Sequence, residues 1–561
     1  MRRLVIFVAA ALLSAAAFAD SVTHSYLVGT RQRAPRSVER LRGDDSVMPG
    51  RNIETFDIVD AYRADLTDDE AIALQNSPEV RYVEPDLNLH AFGVRSQLAP
   101  NELRNPTGQT TPYGVKMVDA PTVWKHTRGE GINVAMLDTG IDLTHPDLKA
   151  AYAGGYNTFF GGGSSTETAS PVDDEGHGTH VAGTVAATDN DLGVVGVAPG
   201  VHLWIVRVMH SDGNGSANGP ISNIAKGIQW VVQQKQSQGG NWIISMSLGG
   251  CGISTTLANA VSSAVNAGVL VVAAAGNHDP TQPDVCSQST DNSYHVSYPA
   301  AYPGVVAVAA VDSTATVADF SNFGPEVSLS APGVGVLSTV RVGTGTMAEV
   351  TTSAGGTLVA SPLDGSPFGT LTGTFVDCGL GKTASDFPAA VNGNIALIKR
   401  GDVTFATKVK NAQAAGAAAV IVYNKDNSGL GFTLTGDSAD AGHVWPLTVA
   451  ISLTDGQALL TNHPANVTIN AAKDDYASYD GTSMATPHVA AVAALAWSVA
   501  PDATAESIKQ ALLSSTVDLG TPGVDSTYGH GFVNAFNAVH QLNPVLFPVP
   551  VLGRAPGRRT H

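Results

Sequence analysis

The sequence predicts an α/β protein built on a parallel sheet with helices on both faces, and three observations predict it. Between residues 109 and 340, short apolar, β-rich runs (132–137, 203–208, 242–246, 269–274 and 305–311) alternate with helical stretches (178–187, 221–235 and 255–267). The runs are nearly continuous in apolar residues rather than alternating, as strands buried on both faces require. The pattern then breaks at 341 and resumes near 476 with a long Ala-rich helix from 483 to about 497.

The chain opens on a basic and then apolar leader. Arg2 and Arg3 precede an unbroken apolar run at 4–13, and Ala17-Phe18-Ala19 forms a small-x-small cleavage site. This is the pattern of a signal peptide over 1–19, and the run is too short to span a bilayer comfortably. The product is expected to be exported, extracellular and without a membrane span. Residues 20 to about 97 read as a small α+β unit. Strands are expected at 24–29 and 55–62, and a short helix capped by Thr67 at 68–76. A further strand at 80–86 belongs at an edge, because Pro85 cannot donate to a ladder. Residues 98–108, with Pro100, Asn105, Pro106 and Gly108, read as an exposed linker. The insertion at 341–475 is rich in Thr, Gly and Ala and mostly β, with strands at 394–399 and 418–423 flanking a helix at 402–415. From Pro544 onward the chain is rich in Pro, Gly and Arg and is expected to be disordered. The division is therefore 1–19, 20–108, 109–340, 341–475, 476–542 and 543–561.

Composition narrows the function. The chain has 561 residues, 43% of them hydrophobic, and a formal net charge of −18. That balance argues against a nucleic-acid partner, since phosphate binding needs a basic surface. The three cysteines, Cys251, Cys286 and Cys378, have no metal-ligand spacing. Export permits a disulfide. Cys251 and Cys286 lie in neighbouring segments of one expected domain and form the expected pair, leaving Cys378 as a free, buried thiol. A monomer is expected.

Three segments carry chemistry. In 136–142 an apolar strand delivers Asp138 at its C-terminal end, where sites form in α/β sheets. In 174–183 His177 sits between glycines at a helix start. In 481–489 Ser483 opens a helix behind Gly481. Singly, each has an ordinary reading: a turn Asp, a structural His, a capping Ser. Together they supply what an acyl-transfer site needs. A serine hydroxyl becomes nucleophilic when an imidazole takes its proton, and a buried carboxylate must hold that imidazole's tautomer. A helix N-terminus favours the developing negative charge. The order Asp, His, Ser is that of subtilisin rather than of chymotrypsin or the α/β-hydrolases.

On these three segments the chain resembles the subtilase family, over about 109–340 and 476–540. The resemblance implies a secreted serine endopeptidase acting on proteins or peptides. Its fold would be a subtilisin-like, doubly covered parallel sheet with a small α+β propeptide and an inserted, mostly β protease-associated (PA) domain. Residues 245–250 resemble the strand that pairs with bound peptide, with Ser247, Leu248 and Gly249 as substrate-binding residues. Residues 273–277 resemble the oxyanion segment, with Ala274 and Gly276 beside substrate. There Asn277 and the Ser483 N–H would be donors to the oxyanion. The resemblance also implies a structural calcium site made of Gln109, Asp147, the Asn190 side chain and the carbonyls of Thr188, Leu192 and Val194, all oxygen ligands as calcium requires. No catalytic cofactor is implied. The unit at 20–108 would be an inhibitory propeptide, removed by autocleavage between about 95 and 109. Residues 393–402 with Phe405 carry the likeness to a PA domain. His180, His488, Thr482 and Thr486 read as packing or capping residues. Two rivals stay open: a non-catalytic binding protein on this scaffold, which would be expected to have lost a triad or oxyanion residue, and a secreted esterase.

Overall fold

The computed structural model describes residues 22–43, 49–95, 108–160, 168–213, 215–278, 295–426, 432–435, 438–440 and 442–548. The expected signal peptide, most of the linker and Cys286 lie outside them.

The N-terminal unit runs β1 (His24–Thr30), α1 (Ala34–Arg42), β2 (Arg51–Thr55), β3 (Ala61–Leu66), α2 (Asp68–Gln75) and β4 (Val80–Pro85). Its sheet has the order β2-β3-β1-β4, so β4 is an edge strand, as Pro85 demands. Helix α2 opens with a capping box. The Thr67 side chain accepts from the Glu70 N–H, and the Glu70 carboxylate accepts from the Thr67 N–H. Of the strand expected over 55–62, Thr55 ends β2 and Ala61 and Tyr62 begin β3, while 56–60 form the turn between them. The apolar residues that suggested a strand, Phe56 and Val59, are buried against the next unit. There the Asp57 N–H donates to Gln229 Oε1 at 2.5 Å and Ser263 Oγ to the Ile58 carbonyl at 3.0 Å. The chain continues through two short strands, β5 (Asn88–Ala91) and β6 (Val94–Arg95).

The central unit contains β7 (Ile132–Asp138), β8 (Tyr152–Asn157), α3 (His177–Ala186), β9 (His202–Arg207), β10 (His210–Ser211) and β11 (Ala217–Pro220). It goes on through α4 (Ile221–Gln238), β12 (Asn241–Met246), β13 (Leu248–Gly249), α5 (Thr255–Asn266), β14 (Leu270–Ala274), β15 (Val306–Val311), β16 (Val327–Pro332) and β17 (Val336–Thr339). Seven strands form one parallel sheet in the order β16-β15-β14-β12-β7-β9-β8. Successive residues of β7 feed two different cores: Ile132, Val134 and Met136 one face, Ala135 and Leu137 the other. Strands β8 and β16 were not legible, because Gly154 and Gly155 in one and Ser328 and Ser330 in the other interrupt the apolar run.

The insertion forms an eight-stranded sheet from β18 (Gly345–Thr352), β19 (Thr357–Pro362), β20 (Gly369–Gly373), β21 (Phe375–Asp377), β22 (Ile395–Lys399), β23 (Ala419–Tyr423), β24 (Leu447–Ile451) and β25 (Val467–Asp474). Helix α6 (Phe405–Ala414) lies between β22 and β23. The chain then returns along β26 (Tyr476–Asp480), which pairs antiparallel with β17 from Val336↔Tyr479 to Thr339↔Tyr476. The insertion is thus mounted on a strand pair of the central unit. Helix α7 (Thr482–Ser498) comes directly after and is buried along almost its whole length. Disorder was expected from 543; within 543–548, Pro544, Val545 and Leu546 are exposed, but Phe547 is packed. Phe547 is only 2% exposed, and its carbonyl meets the His540 ring nitrogen at 2.6 Å.

Candidate active site

Strand β7 ends at Asp138, α3 begins at His177, and α7 carries Ser483 in its first turn. All three side chains are buried. His177 Nδ1 lies 2.7 Å from Asp138 Oδ1. Burial by itself would lower the His177 pKa, but the Asp138 charge and this hydrogen bond outweigh it and hold the imidazole pKa above its ordinary value. His177 Nε2, the nitrogen left for a substrate proton, has no hydrogen-bond partner among the described residues. Ser483 Oγ instead donates to the Ser247 carbonyl at 2.8 Å and accepts from the Phe92 N–H at 3.0 Å.

The cleft holds the chain's own residues 88–95. Strand β5 lies between two rims, pairing with β13 (Leu248↔Ala91, Gly249↔His90) and with β11 (Gly219↔Leu89). Leu89 is 1% exposed. The Phe92 carbonyl accepts from Asn277 Nδ2 at 2.6 Å. The Phe92 ring lies so close to Gly249 that a Cβ there would stand 2.7 Å from it. A Cβ on Gly481 would stand 2.0 Å from the Phe92 oxygen, so only glycine admits the peptide here. Gly93 faces His177 Nε2 and Met484, and β6 then pairs with β26 (Val94↔Asp480, Arg95↔Tyr479). Autocleavage was expected between 95 and 109. The bond beside Ser483 and Asn277 is Phe92–Gly93 instead, and residues 96–107 lie outside the described ones.

Among the expected substrate-binding residues, Leu248 and Gly249 pair with β5, whereas Ser247 meets Ser483. The Ser247 carbonyl accepts from Ser483 Oγ, and its own Oγ donates to the Ser483 carbonyl at 2.8 Å. Ala274 sits buried at the end of β14, and the Gly276 N–H donates to Thr482 Oγ1 at 3.2 Å rather than to the peptide. His180 Nε2 meets the Val336 and Ala477 carbonyls at 3.0 and 3.1 Å, and burial pushes its pKa down to about 3. His488 bonds to the Met484 carbonyl, and burial pushes its pKa down to about 4.

Four contributors escaped the sequence reading. Thr482 gives two hydrogen bonds to Asn277 Oδ1, from N at 3.0 Å and Oγ1 at 2.7 Å, which turn the Asn277 NH₂ toward the peptide. Buried Asp173 accepts from Thr139, Glu175, Gly176 and Thr179, tying the Asp138 turn to the His177 loop. The third and fourth are the rims β11 and β26. A Gly-rich run, 213–219, was the only local signal for β11.

Residues 129–363 match the subtilase family and residues 356–459 match the PA domain. The chain is 35% identical over 336 residues to subtilisin E of Bacillus subtilis, covering 59% of this chain and 76% of that protein. The chain belongs to the subtilase family. It is 38% identical over 292 residues to a thermostable alkaline protease of Halalkalibacterium halodurans, covering 51% and 67% of the two chains. A crystal structure of a psychrophilic subtilisin-like protease from the Antarctic psychrotroph Pseudoalteromonas sp. AS-11 aligns with a TM-score of 0.57 at 32% identity. That alignment covers 78% of this chain and 99% of the other. This subtilase is a serine-type endopeptidase with a PA domain.

The family's calcium site can be tested against the geometry. Gln109 Nε2 donates to the Thr188, Leu192 and Val194 carbonyls at 2.9, 3.3 and 3.4 Å, so three backbone oxygens converge on one point. Asp147 beside them is fully buried, and it accepts from Asn190 Nδ2, the Val194 N–H and the Tyr476 hydroxyl. No ion pair to it occurs among the described residues. A buried carboxylate with converging carbonyls is a hard oxygen set that suits a divalent cation. Two side chains are turned otherwise than expected. Gln109 presents its nitrogen to the carbonyls, and Asn190 Oδ1 accepts from the Leu192 N–H. Both amides would need to rotate to offer oxygen. Cys378 is a free, buried thiol. Cys251 is not among the free thiols, and its expected partner lies outside the described residues.

Proposed function

We propose that this subtilase is an exported endopeptidase made as a self-processing zymogen, with Asp138, His177 and Ser483 as its triad and Asn277 as oxyanion donor. The observation that supports it most directly is the peptide carbonyl of Phe92 at 2.6 Å from Asn277 Nδ2, beside Ser483 and a His177 already bonded to Asp138. Rotation about the Ser483 Cα–Cβ bond takes Oγ from the Ser247 carbonyl toward His177 Nε2. The hydroxyl then adds to the substrate carbonyl as its proton passes to His177. Asn277 Nδ2 stabilises the oxyanion, a contribution of about 10²–10³ in kcat for comparable donors. His177 returns the proton to the leaving amine, and water then hydrolyses the acyl-enzyme. Extended pairing on two rims favours peptides over simple esters. The glycine floor under the Phe92 ring supports an apolar residue before the cut bond.

The α+β unit after the signal peptide acts as inhibitor in this reading. Its Glu84 caps α5, accepting from Ser254 Oγ, the Thr255 N–H and the Thr256 N–H at 2.7, 2.9 and 2.9 Å. Its Asp86 accepts from the Ser222 N–H and Oγ at the start of α4 at 2.9 and 2.7 Å. Carboxylates at helix N-termini are favoured by the unpaired amides there. Calcium held by Gln109, Asp147, Asn190 and the carbonyls of Thr188, Leu192 and Val194 would supply stiffness and no chemistry. A Cys251–Cys286 disulfide is part of the same proposal. The test is covalent labelling by a serine-directed phosphonate alongside casein cleavage. Both should be present in the native chain and absent in Ser483→Ala, and labelling retained in that variant would sink the assignment.

A further inference from the structure

The uncut chain presents one particular peptide bond to its own catalytic groups, while a downstream segment is already anchored elsewhere. We propose that the chain cuts itself between Phe92 and Gly93, so that the mature protease begins at Gly93 and carries residues 93–108 ahead of Gln109. This rests on the protease reading and goes beyond it.

Three independent contacts set the register. On the acyl side, β5 is held by both rims, with Leu89 buried and the Phe92 ring over Gly249. At the junction, the Phe92 oxygen meets Asn277 and the Phe92 N–H meets Ser483 Oγ. On the leaving side, β6 pairs with β26, and Gly93 lies so near His177 that a Cβ would stand 2.7 Å from Nε2. Cutting after residue 95 would require sliding the strand by three residues. An odd shift reverses every side chain, taking Leu89 and Phe92 out of their pockets. Ser96 would also replace Gly93 where there is no room for a Cβ.

Downstream of the cut, the chain is docked on the central unit. The Thr110 N–H donates to the Gly193 carbonyl at 2.8 Å and the Thr110 carbonyl accepts from the Val195 N–H at 3.2 Å. Gln109 faces the Thr188, Leu192 and Val194 carbonyls. The anchor at 109–110 is therefore in place before cleavage, and the cut need not wait for it to dock. In the step itself, the Ser483 Oγ–Phe92 carbon bond forms and the Phe92–Gly93 C–N bond breaks. The Ser483 proton passes through His177 to the Gly93 nitrogen. Water then splits the ester, restoring the Ser483 hydroxyl and leaving a carboxylate on Phe92.

The experiment is a time course of the purified full-length chain, read by N-terminal sequencing and intact mass. The expected result is an early new N-terminus Gly-Val-Arg-Ser-Gln and a released fragment ending at Phe92. A first cut after any residue from 95 to 108 overturns the proposal. Ser483→Ala should remain one chain, and cleavage of that variant at the same bond overturns self-cleavage. Gly93→Val should slow the cut at least tenfold while leaving the circular dichroism of the uncut chain unchanged, and equal speed overturns the register. Casein cleavage by the native chain separates the two readings. Active enzyme with another N-terminus removes only this proposal, whereas absence of casein cleavage and of any processing removes the protease reading.

Discussion

The Tyr476 hydroxyl donates to Asp147 Oδ2 at 2.8 Å inside the protein. Asp147 belongs to the loop set that suits calcium, and Tyr476 is the first residue of β26 after the insertion. Its ring meets His145 edge-on, and His145 Nε2 in turn meets the Asp475 carbonyl at 3.0 Å. One buried carboxylate therefore ties the 188–194 loop to the root of the PA domain and to the strand that borders the cleft. Tyr476→Phe removes one of the three donors to Asp147. Hydrogen bonds to charged groups contribute about 1.5–3 kcal/mol. Thermal unfolding should begin several degrees lower in the variant, and an unchanged melting profile would show that this bond carries no stability.

Calcium removal gives a second expectation. A cation that binds only the folded state stabilises it by about 2.7 kcal/mol at a hundred times its Kd. EDTA should lower the melting temperature of the native chain, and excess calcium should restore it. Asp147→Asn should melt low in both conditions. A native chain indifferent to EDTA would remove the site.

How much of this was legible in the sequence depends on how local each signal is. Asp138, His177 and Ser483 each sit in a short, self-contained pattern of strand end or helix start, so they could be read without knowing the fold. The Thr67 cap was readable for the same reason. The meeting of Phe92 with Ser483 spans 391 positions, and no periodicity in 88–95 announces it. Phe56 and Val59 misled because an apolar run looks alike whether it lines a strand or an interface between units. Thr482 looked like a cap because its second role depends on Asn277, 205 positions away.

Thr482 can be examined through that role. The hydroxyl bond to Asn277 Oδ1 orients the amide without touching substrate, so Thr482→Val should lower kcat by up to about tenfold, the worth of roughly 1.4 kcal/mol, with little change in KM. Thr482→Ser should retain most of the rate. Asn277→Ala should cost about 10²–10³ in kcat. Equal kcat in the Thr482 valine and serine variants would assign Thr482 to packing alone.

In the proposed zymogen, two carboxylates of the N-terminal unit set how long the enzyme stays silent. Glu84 and Asp86 cap α5 and α4 across the interface, so Glu84→Gln with Asp86→Asn weakens docking while leaving β5 and Phe92 intact. At about 1.5–3 kcal/mol for hydrogen bonds to a charged group, each loss is worth roughly tenfold or more in affinity. The lag between self-cleavage and full activity on casein should shorten correspondingly. A lag of native length would place the inhibition in β5 alone.

The pH dependence is set by His177. The Asp138 charge raises the imidazole pKa against the opposing effect of burial, so protonation persists to higher pH than for an ordinary histidine near 6.5. Only neutral His177 can accept the Ser483 proton. The acid limb of kcat/KM should therefore rise through a pKa above that ordinary value and flatten on the alkaline side. The sign for stability is the reverse. A histidine raised on folding contributes stability that is fully present below the unfolded pKa and is lost as pH rises through the folded one, so rate and stability should move in opposite directions across this window. Asp138→Asn removes the charge and the tautomer control together. It should lower kcat by about 10⁴, as in other enzymes of this triad, and move the acid limb down. An acid limb unmoved by that substitution would mean that a group other than His177 governs it.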